Sequence, residues 1–170
     1  MNFVEEKRRA LLESLAGVED DLLRRRAATD GWSVAEILDH LRMVEAGVAR
    51  LITKRVAQAR EAGLGDETST SSVVAPFTKY SANLEDMVLK SPAGVQPRPD
   101  VDIAEAREGL KSSREALRAA VATADGLALG DIKHNHPLLG ELDLYEWLVF
   151  LGEHEARHKK QIERTLQGSS

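Results

Sequence analysis

Five histidines hold most of the chemistry this 170-residue chain can offer: His40, His134, His136, His154 and His158. His154 and His158 are four apart, so on a helix both project from one face with β-carbons about 6 Å apart. That is the spacing at which two imidazoles can share one metal ion. An i,i+4 pair alone is weak evidence, because many such pairs are simply solvated. At about 100° per residue, however, His154 and His158 fall in line with Trp147, Leu151 and Ile162, and His40 falls among Ile37, Val44 and Leu51. Titratable groups on an apolar stripe are costly unless paired or ligated. A lone core histidine is usually satisfied by backbone or a carboxylate, but three that converge are harder to satisfy that way. The chain has no cysteine, so a metal site must draw on His, Asp or Glu, and thiol nucleophiles, iron–sulfur clusters and disulfide scaffolds are excluded.

The elements that must position these residues are helices. Four of the five prolines (Pro76, Pro92, Pro97 and Pro99) lie between residues 75 and 100, which leaves the rest of the chain free to be helical. The first segment, Asn2 to about Ala16, carries Val4, Leu11, Leu12 and Leu15 at helical spacing, and Gly17 can end it. A short turn through Asp21–Leu23 follows, and Arg24–Arg26 read as a solvated helix end. The second helix opens at W-S-V-A-E-I, with Ser33 as N-cap, Glu36 completing a capping box, and Trp32 with Ile37 as the hydrophobic staple. The same grammar recurs at L-D-L-Y-E-W with Asp143, Glu146, Leu142 and Trp147, and more weakly at Asp102 and Glu105. The extents predicted from these starts are 33–61, 102–124 and 143–167. The third helix repeats Ile103, Ala106, Leu110, Ser113, Leu117 and Ala120, a narrow seam suited to bundle packing.

About forty residues separate helices two and three, with a short helix expected around Thr78–Val88, and connections this long cross a bundle or cover a site. A crossover there makes helices two and three parallel and helices two and four antiparallel. With a rise of about 1.5 Å per residue, His40 lies roughly 10 Å from the start of its helix and the His154–His158 pair roughly 13–20 Å from the far end of its own. Antiparallel helices bring these levels together; a simple up-down-up-down order separates them. The expected fold is all-α, a four-helix bundle of up-down-down-up topology with a long crossover between helices two and three, in a single domain spanning residues 1–170.

The remaining candidates each have a plainer reading. Gln161, one turn past His158, could orient a ligand; Glu36, one turn before His40, is already used by its capping box; Trp147 and Trp32 are core and staple residues first, pocket walls second. Met43 and Gly47 flank the His40 face and suit a pocket or close helix packing. His134 and His136 read as solvated loop residues within reach of the site's rim, and the Pro-Leu-Leu-Gly after His136 as a turn. The net charge of −5 and the 4% aromatic content argue against a nucleic-acid partner. No apolar run approaches the ~20 residues of a membrane span and the start lacks a signal peptide's apolar core, so a cytoplasmic protein with no membrane partner is expected.

The blocks G-W-S-V-A-E-I-L-D-H-L (31–41), H-P-L-L-G-E-L-D-L-Y-E-W-L (136–148) and H-E-A-R-H-K-K-Q-I (154–162) resemble the DinB-like superfamily, in order and with a variable middle. The resemblance implies an up-down-down-up four-helix bundle, often a homodimer, with a divalent metal, commonly zinc or nickel. Its ligands are one histidine of helix two and two of helix four, here His40, His154 and His158. Characterised relatives include bacillithiol transferases and a mycothiol-dependent isomerase, and in the transferases the metal activates a low-molecular-weight thiol as thiolate to attack an electrophile. Three neutral imidazoles leave coordination positions for water or substrate, and a cysteine-free protein suits a nucleophile that arrives as a cofactor. The expected function is a metal-dependent enzyme, a transferase or hydrolase, acting on a small-molecule substrate. The alternative is a metal-stabilised helical binding module without turnover.

Overall fold

The computed structural model of the chain describes residues 1–26, 31–69, 74 and 91–168. Among the described residues, five helices carry the fold: α1 (Asn2–Glu13), the short α2 (Asp20–Arg24), α3 (Val34–Glu61), α4 (Ile103–Ala122) and α5 (Leu144–Gln167). The helix starts are those the capping signals predict. The Ser33 hydroxyl accepts the Glu36 amide at 3.2 Å while Glu36 Oε2 accepts the Ser33 amide at 2.8 Å, and Asp143 with Glu146 repeats the box at 2.8 and 2.9 Å. Asp102 accepts from the amides of Ala104 and Glu105. Each cap satisfies amides that the first helical turn leaves without partners.

Which ends pack together fixes the topology. Val4 near the start of α1 shares an apolar cluster with Val48, Ile52 and Val56 late in α3, Leu117 and Ala120 late in α4, and Trp147, Leu148 and Leu151 early in α5. Leu11 at the other end of α1 packs with Ile37, Leu38 and Leu41 early in α3, Ile103, Ala106 and Leu110 early in α4, and Ile162 late in α5. So α1 and α5 run one way and α3 and α4 the other, the up-down-down-up bundle the sequence predicts. All six residues of the α4 seam are buried. A β-carbon at Gly152 of α5 would stand 2.5 Å from a ring carbon of Phe3, so glycine is what lets α1 lie this close to α5. Among the described residues, no helix is long and apolar enough to cross a membrane.

Between the two apolar clusters lies a polar waist. Each long helix carries a charge at mid-height on its buried stripe: Arg8 on α1, Glu45 on α3, Arg114 on α4 and Glu155 on α5. Arg8 Nη2 bonds Glu45 at 3.0 Å and Glu155 at 2.6 Å; Arg114 bonds Glu45 at 2.6 Å and Glu155 at 2.7 Å. The remaining guanidinium hydrogens reach the carbonyls of Leu110 (2.8 Å) and Val4 (3.0 Å), and the Ser113 hydroxyl donates to Glu45.

Three local expectations are corrected. The first helix stops at Glu13, because 3-10-type bonds (Leu15 amide to Leu12 carbonyl, Ala16 to Glu13) tighten the chain into a turn closed by Gly17, and Leu12 faces solvent. The turn through Asp21–Leu23 is a one-turn helix, Asp20–Arg24. The segment before α5 is a hairpin rather than a loop: Lys133–His136 (β1) pairs antiparallel with Gly140–Asp143 (β2), His134 opposite Leu142 and His136 opposite Gly140. The Pro-Leu-Leu-Gly turn is there as predicted, and Gly140 takes its φ of 78°, which side chains disfavour. The helix expected around Thr78–Val88 lies outside the described residues.

Candidate metal centre

The Ser33 cap sets the start of α3, the Asp143 cap the start of α5, and the antiparallel course of the two helices makes His40, His154 and His158 meet. His154 Nε2 lies 3.2 Å from His40 Nε2 and 3.2 Å from His158 Nε2, and the candidate ligand atoms of the three all fall within 4.8 Å of one another. Ligand nitrogens about 2.0–2.1 Å from a tetrahedral ion stand roughly 3.3 Å apart, so the spacing fits.

The protonation pattern fits as well. His40 Nδ1–H donates to the Val95 carbonyl at 2.6 Å, and His158 Nδ1–H donates to Gln161 Oε1 at 2.8 Å. In a neutral imidazole that leaves a lone pair on Nε2 of both rings, each aimed at the His154 nitrogen. A single hydrogen on His154 Nε2 can serve one of those lone pairs at best, whereas a cation serves all three nitrogens. Burial pushes all three rings toward the neutral form, and for His154 and His158 repulsion from neighbouring histidines adds to it. His40 is lowered mainly by burial, His154 falls well below the ordinary histidine range, and His158 is pushed down to about 3. His40 and His158 are buried and His154 is partly exposed.

The exit of the crossover supports this arrangement. Val95 closes a 3-10 turn, Ala93–Val95, and three residues on Arg98 is tied to Asp39, the neighbour of His40 on α3. Asp39 is fully buried and accepts from the Arg98 amide (3.0 Å), the Arg98 guanidinium (3.1 Å) and Arg42 (2.7 Å). Burial pushes its carboxyl up, but these donors outweigh burial and hold it below its ordinary value.

Of the other residues singled out in the sequence, the structure brings Gln161 directly onto His158. Glu36 is spent at the helix start, on the Ser33 amide and on Arg26. Trp147 sits one ring out: it packs edge-on against Phe150 at 5.8 Å, and Phe150 stacks on His154 at 5.4 Å. Trp32 is the nearer wall, its ring 4.9 Å from His40 and stacked at 6.5 Å on His158. The solvated-loop reading of His134 and His136 is overturned. Both are half-buried on β1, His134 receiving Arg55 at 2.8 Å and His136 packed on Trp147 and Phe150. Sequence reasoning missed Phe150, three residues past Trp147 and so on the same side of α5, and missed Val95, whose contribution is a backbone carbonyl without a side-chain signature.

The comparisons with known proteins bear on the family and the fold. The family model for the DinB superfamily matches residues 4–162. The chain is similar to the uncharacterized protein YuaE of Bacillus subtilis (strain 168), 27% identical over 165 residues that cover 95% of this chain and 94% of that protein. Among solved structures it is similar to TT2238, a four-helix bundle protein, with a TM-score of 0.62 at 21% identity over 95% of this chain and 93% of the other. The chain belongs to the DinB superfamily.

Proposed function

We propose that this DinB-superfamily bundle is a divalent-metal enzyme that presents a low-molecular-weight thiol, of the bacillithiol or mycothiol type, to an electrophilic small molecule. His40, His154 and His158 would hold the ion, zinc or nickel. The observation that carries this reading is the convergence of three neutral Nε2 atoms, two of which are lone pairs fixed from behind by Val95 and Gln161. A divalent ion held there supplies Lewis acidity and lowers the pKa of a bound thiol or water.

The chain's own groups do the rest. The Val95 carbonyl and the Gln161 amide oxygen hold the outer hydrogens of two rings and so fix tautomer and orientation, as outer partners of metal-binding histidines do. Trp32 packs against His40 and His158 and Phe150 against His154, so aromatic rings wall the flanks of the imidazoles. Partly exposed His154 leaves an approach for an external ligand. The cluster brings together three histidines and no carboxylate among the described residues, unlike structural zinc sites, which are closed by four protein ligands. With no cysteine in the chain, a thiol nucleophile has to come from outside.

The test is metal content by plasma mass spectrometry for the wild type and His154→Ala, followed by thiol titration of the cobalt-loaded protein. About one transition metal per chain, lost in the variant while helicity is kept, is the expected result, together with a visible spectrum that shifts as thiol binds. No metal after reconstitution, or full occupancy in the variant, overturns the assignment. Metal without a thiol response leaves the non-catalytic, metal-stabilised module in its place.

A further inference from the structure

His136 is not used by the site just described, yet its geometry is as constrained as that of the three clustered rings. Its Nδ1 accepts the backbone amides of Leu138 at 3.1 Å and Leu139 at 3.2 Å, both in the hairpin turn. A nitrogen that accepts cannot also carry the hydrogen, so the neutral ring bears it on Nε2. The ring stands edge-on to Phe150 at 4.5 Å and tilted on Trp147 at 5.0 Å, and Phe150 stacks in turn on His154. The turn fixes the ring from one side and two aromatic faces fix it from another. Among the described residues, Nε2–H has no hydrogen-bond acceptor. Capping the turn occupies only Nδ1 and leaves the Nε2–H donor for another partner, on a ring that packs against the same Phe150 that stacks on His154.

We propose that His136 is a ligand-orienting donor: its Nε2–H hydrogen-bonds an oxygen at the far end of a small molecule whose near end is bound at His40, His154 and His158. The class of ligand that fits carries a carboxylate or carbonyl oxygen a few carbons from its metal-binding atom, with those carbons lying along Phe150. This rests on the metal-site reading above. A neutral donor on a rigid turn selects for an acceptor at a fixed reach without adding charge beside the centre, and the short loop of the hairpin keeps that reach constant.

The test compares cobalt-loaded wild type, His136→Phe and His136→Gln, each checked for cobalt content and titrated with β-mercaptopropionate and with propanethiol, which lacks the carboxylate, while the visible spectrum is followed. Wild type is expected to bind β-mercaptopropionate the more tightly. His136→Phe should weaken that ligand about ten-fold, the scale of a lost hydrogen bond to a charged group, and leave propanethiol unchanged. His136→Gln, which keeps an N–H donor, should recover part of the difference. Equal changes for both thiols, or no change for either, overturn the role of His136 alone, whereas a cobalt-loaded wild type that binds neither thiol overturns the thiol-presenting function and that role with it. A wild type that takes up no cobalt overturns the metal-site reading, and this one with it.

Discussion

Two polar clusters lie within a turn of each other in the waist of the bundle, and they resolve the same physical problem in opposite ways. Glu45 follows His40 by five residues on α3, and Glu155 follows His154 directly on α5, so the same two helices feed both. In the quartet of Arg8, Glu45, Arg114 and Glu155, two cations and two anions bond one another directly, with further donors and acceptors from Ser113 and two carbonyls. Only Glu155 Oε2 lacks a partner there. Among the described residues no carboxylate joins the histidine trio; the outer hydrogens of His40 and His158 are taken and their inner lone pairs face the His154 nitrogen. Burial of either set is costly without partners. The quartet finds them within the chain and so holds four helices in register; in the function proposed above, the trio is completed by a cation from outside. Donor and acceptor balance, not burial or residue type alone, separates the cluster that builds the fold from the cluster proposed to bind a ligand.

That contrast can be broken at several points. The largest effect is expected from Arg114→Ala, which leaves two buried carboxylates sharing the single guanidinium of Arg8: urea unfolding should show a loss of about 3–5 kcal/mol, with metal stoichiometry of the folded protein unchanged. A variant as stable as the wild type would mean the quartet is not what locks the helices. The trio should respond instead to acid. In metal-free protein the folded rings resist protonation, His158 down to about 3, while in the unfolded chain histidine titrates near 6.5. Between those values the unfolded state binds protons that the folded state refuses, so stability is complete above 6.5 and is lost as pH falls through the window. His136, pushed down to about 4 by burial, acts in the same direction. Urea midpoints at about pH 7 and about pH 5 read this out, and His40→Gln with His158→Gln should flatten the difference; a flat wild-type profile would contradict buried neutral rings. The smallest effect is expected from Gln161→Leu. Zinc affinity, by competition with a chromophoric chelator, should fall roughly ten- to hundred-fold with the urea midpoint unmoved, and unchanged affinity would remove Gln161 from the support of His158.

What the sequence made legible was whatever it wrote into side-chain periodicity and caps. Ser33, Asp102 and Asp143 announced three helix starts, the α4 seam announced its buried face, and the level of His40 against His154 and His158 pointed to the crossover topology. The hairpin was not legible, because K-H-N-H and G-E-L-D have neither alternating apolar residues nor β-branched ones; tertiary docking against the start of α5, where the Trp147 indole donates to the His134 carbonyl at 3.2 Å, overrides weak propensity. The ion quartet left a trace that a longer look at the stripes would have found. Arg8 stands between Val4 and Leu11, Glu45 between Leu41 and Val48, and Arg114 between Leu110 and Leu117, each a charge at an apolar position of its helix. Two of each sign at one level is a pairing pattern, but single charges on single helices look like solvated faces.

The carbonyl of Val95 behind His40 has a consequence in time. The chain separations that close the trio and its support are 55 residues from His40 to Val95 and 114 from His40 to His154. Contacts so far apart in sequence form slowly compared with the helices themselves. His40 is therefore held in its final orientation only after Val95 has reached its ring and Asp39 has captured Arg98. A chain refolding from denaturant is expected to regain its helices first and the Val95 support of His40 last, so under the proposed metal reading the lag between circular dichroism and metal capture would clock the arrival of residues 93–98 at α3.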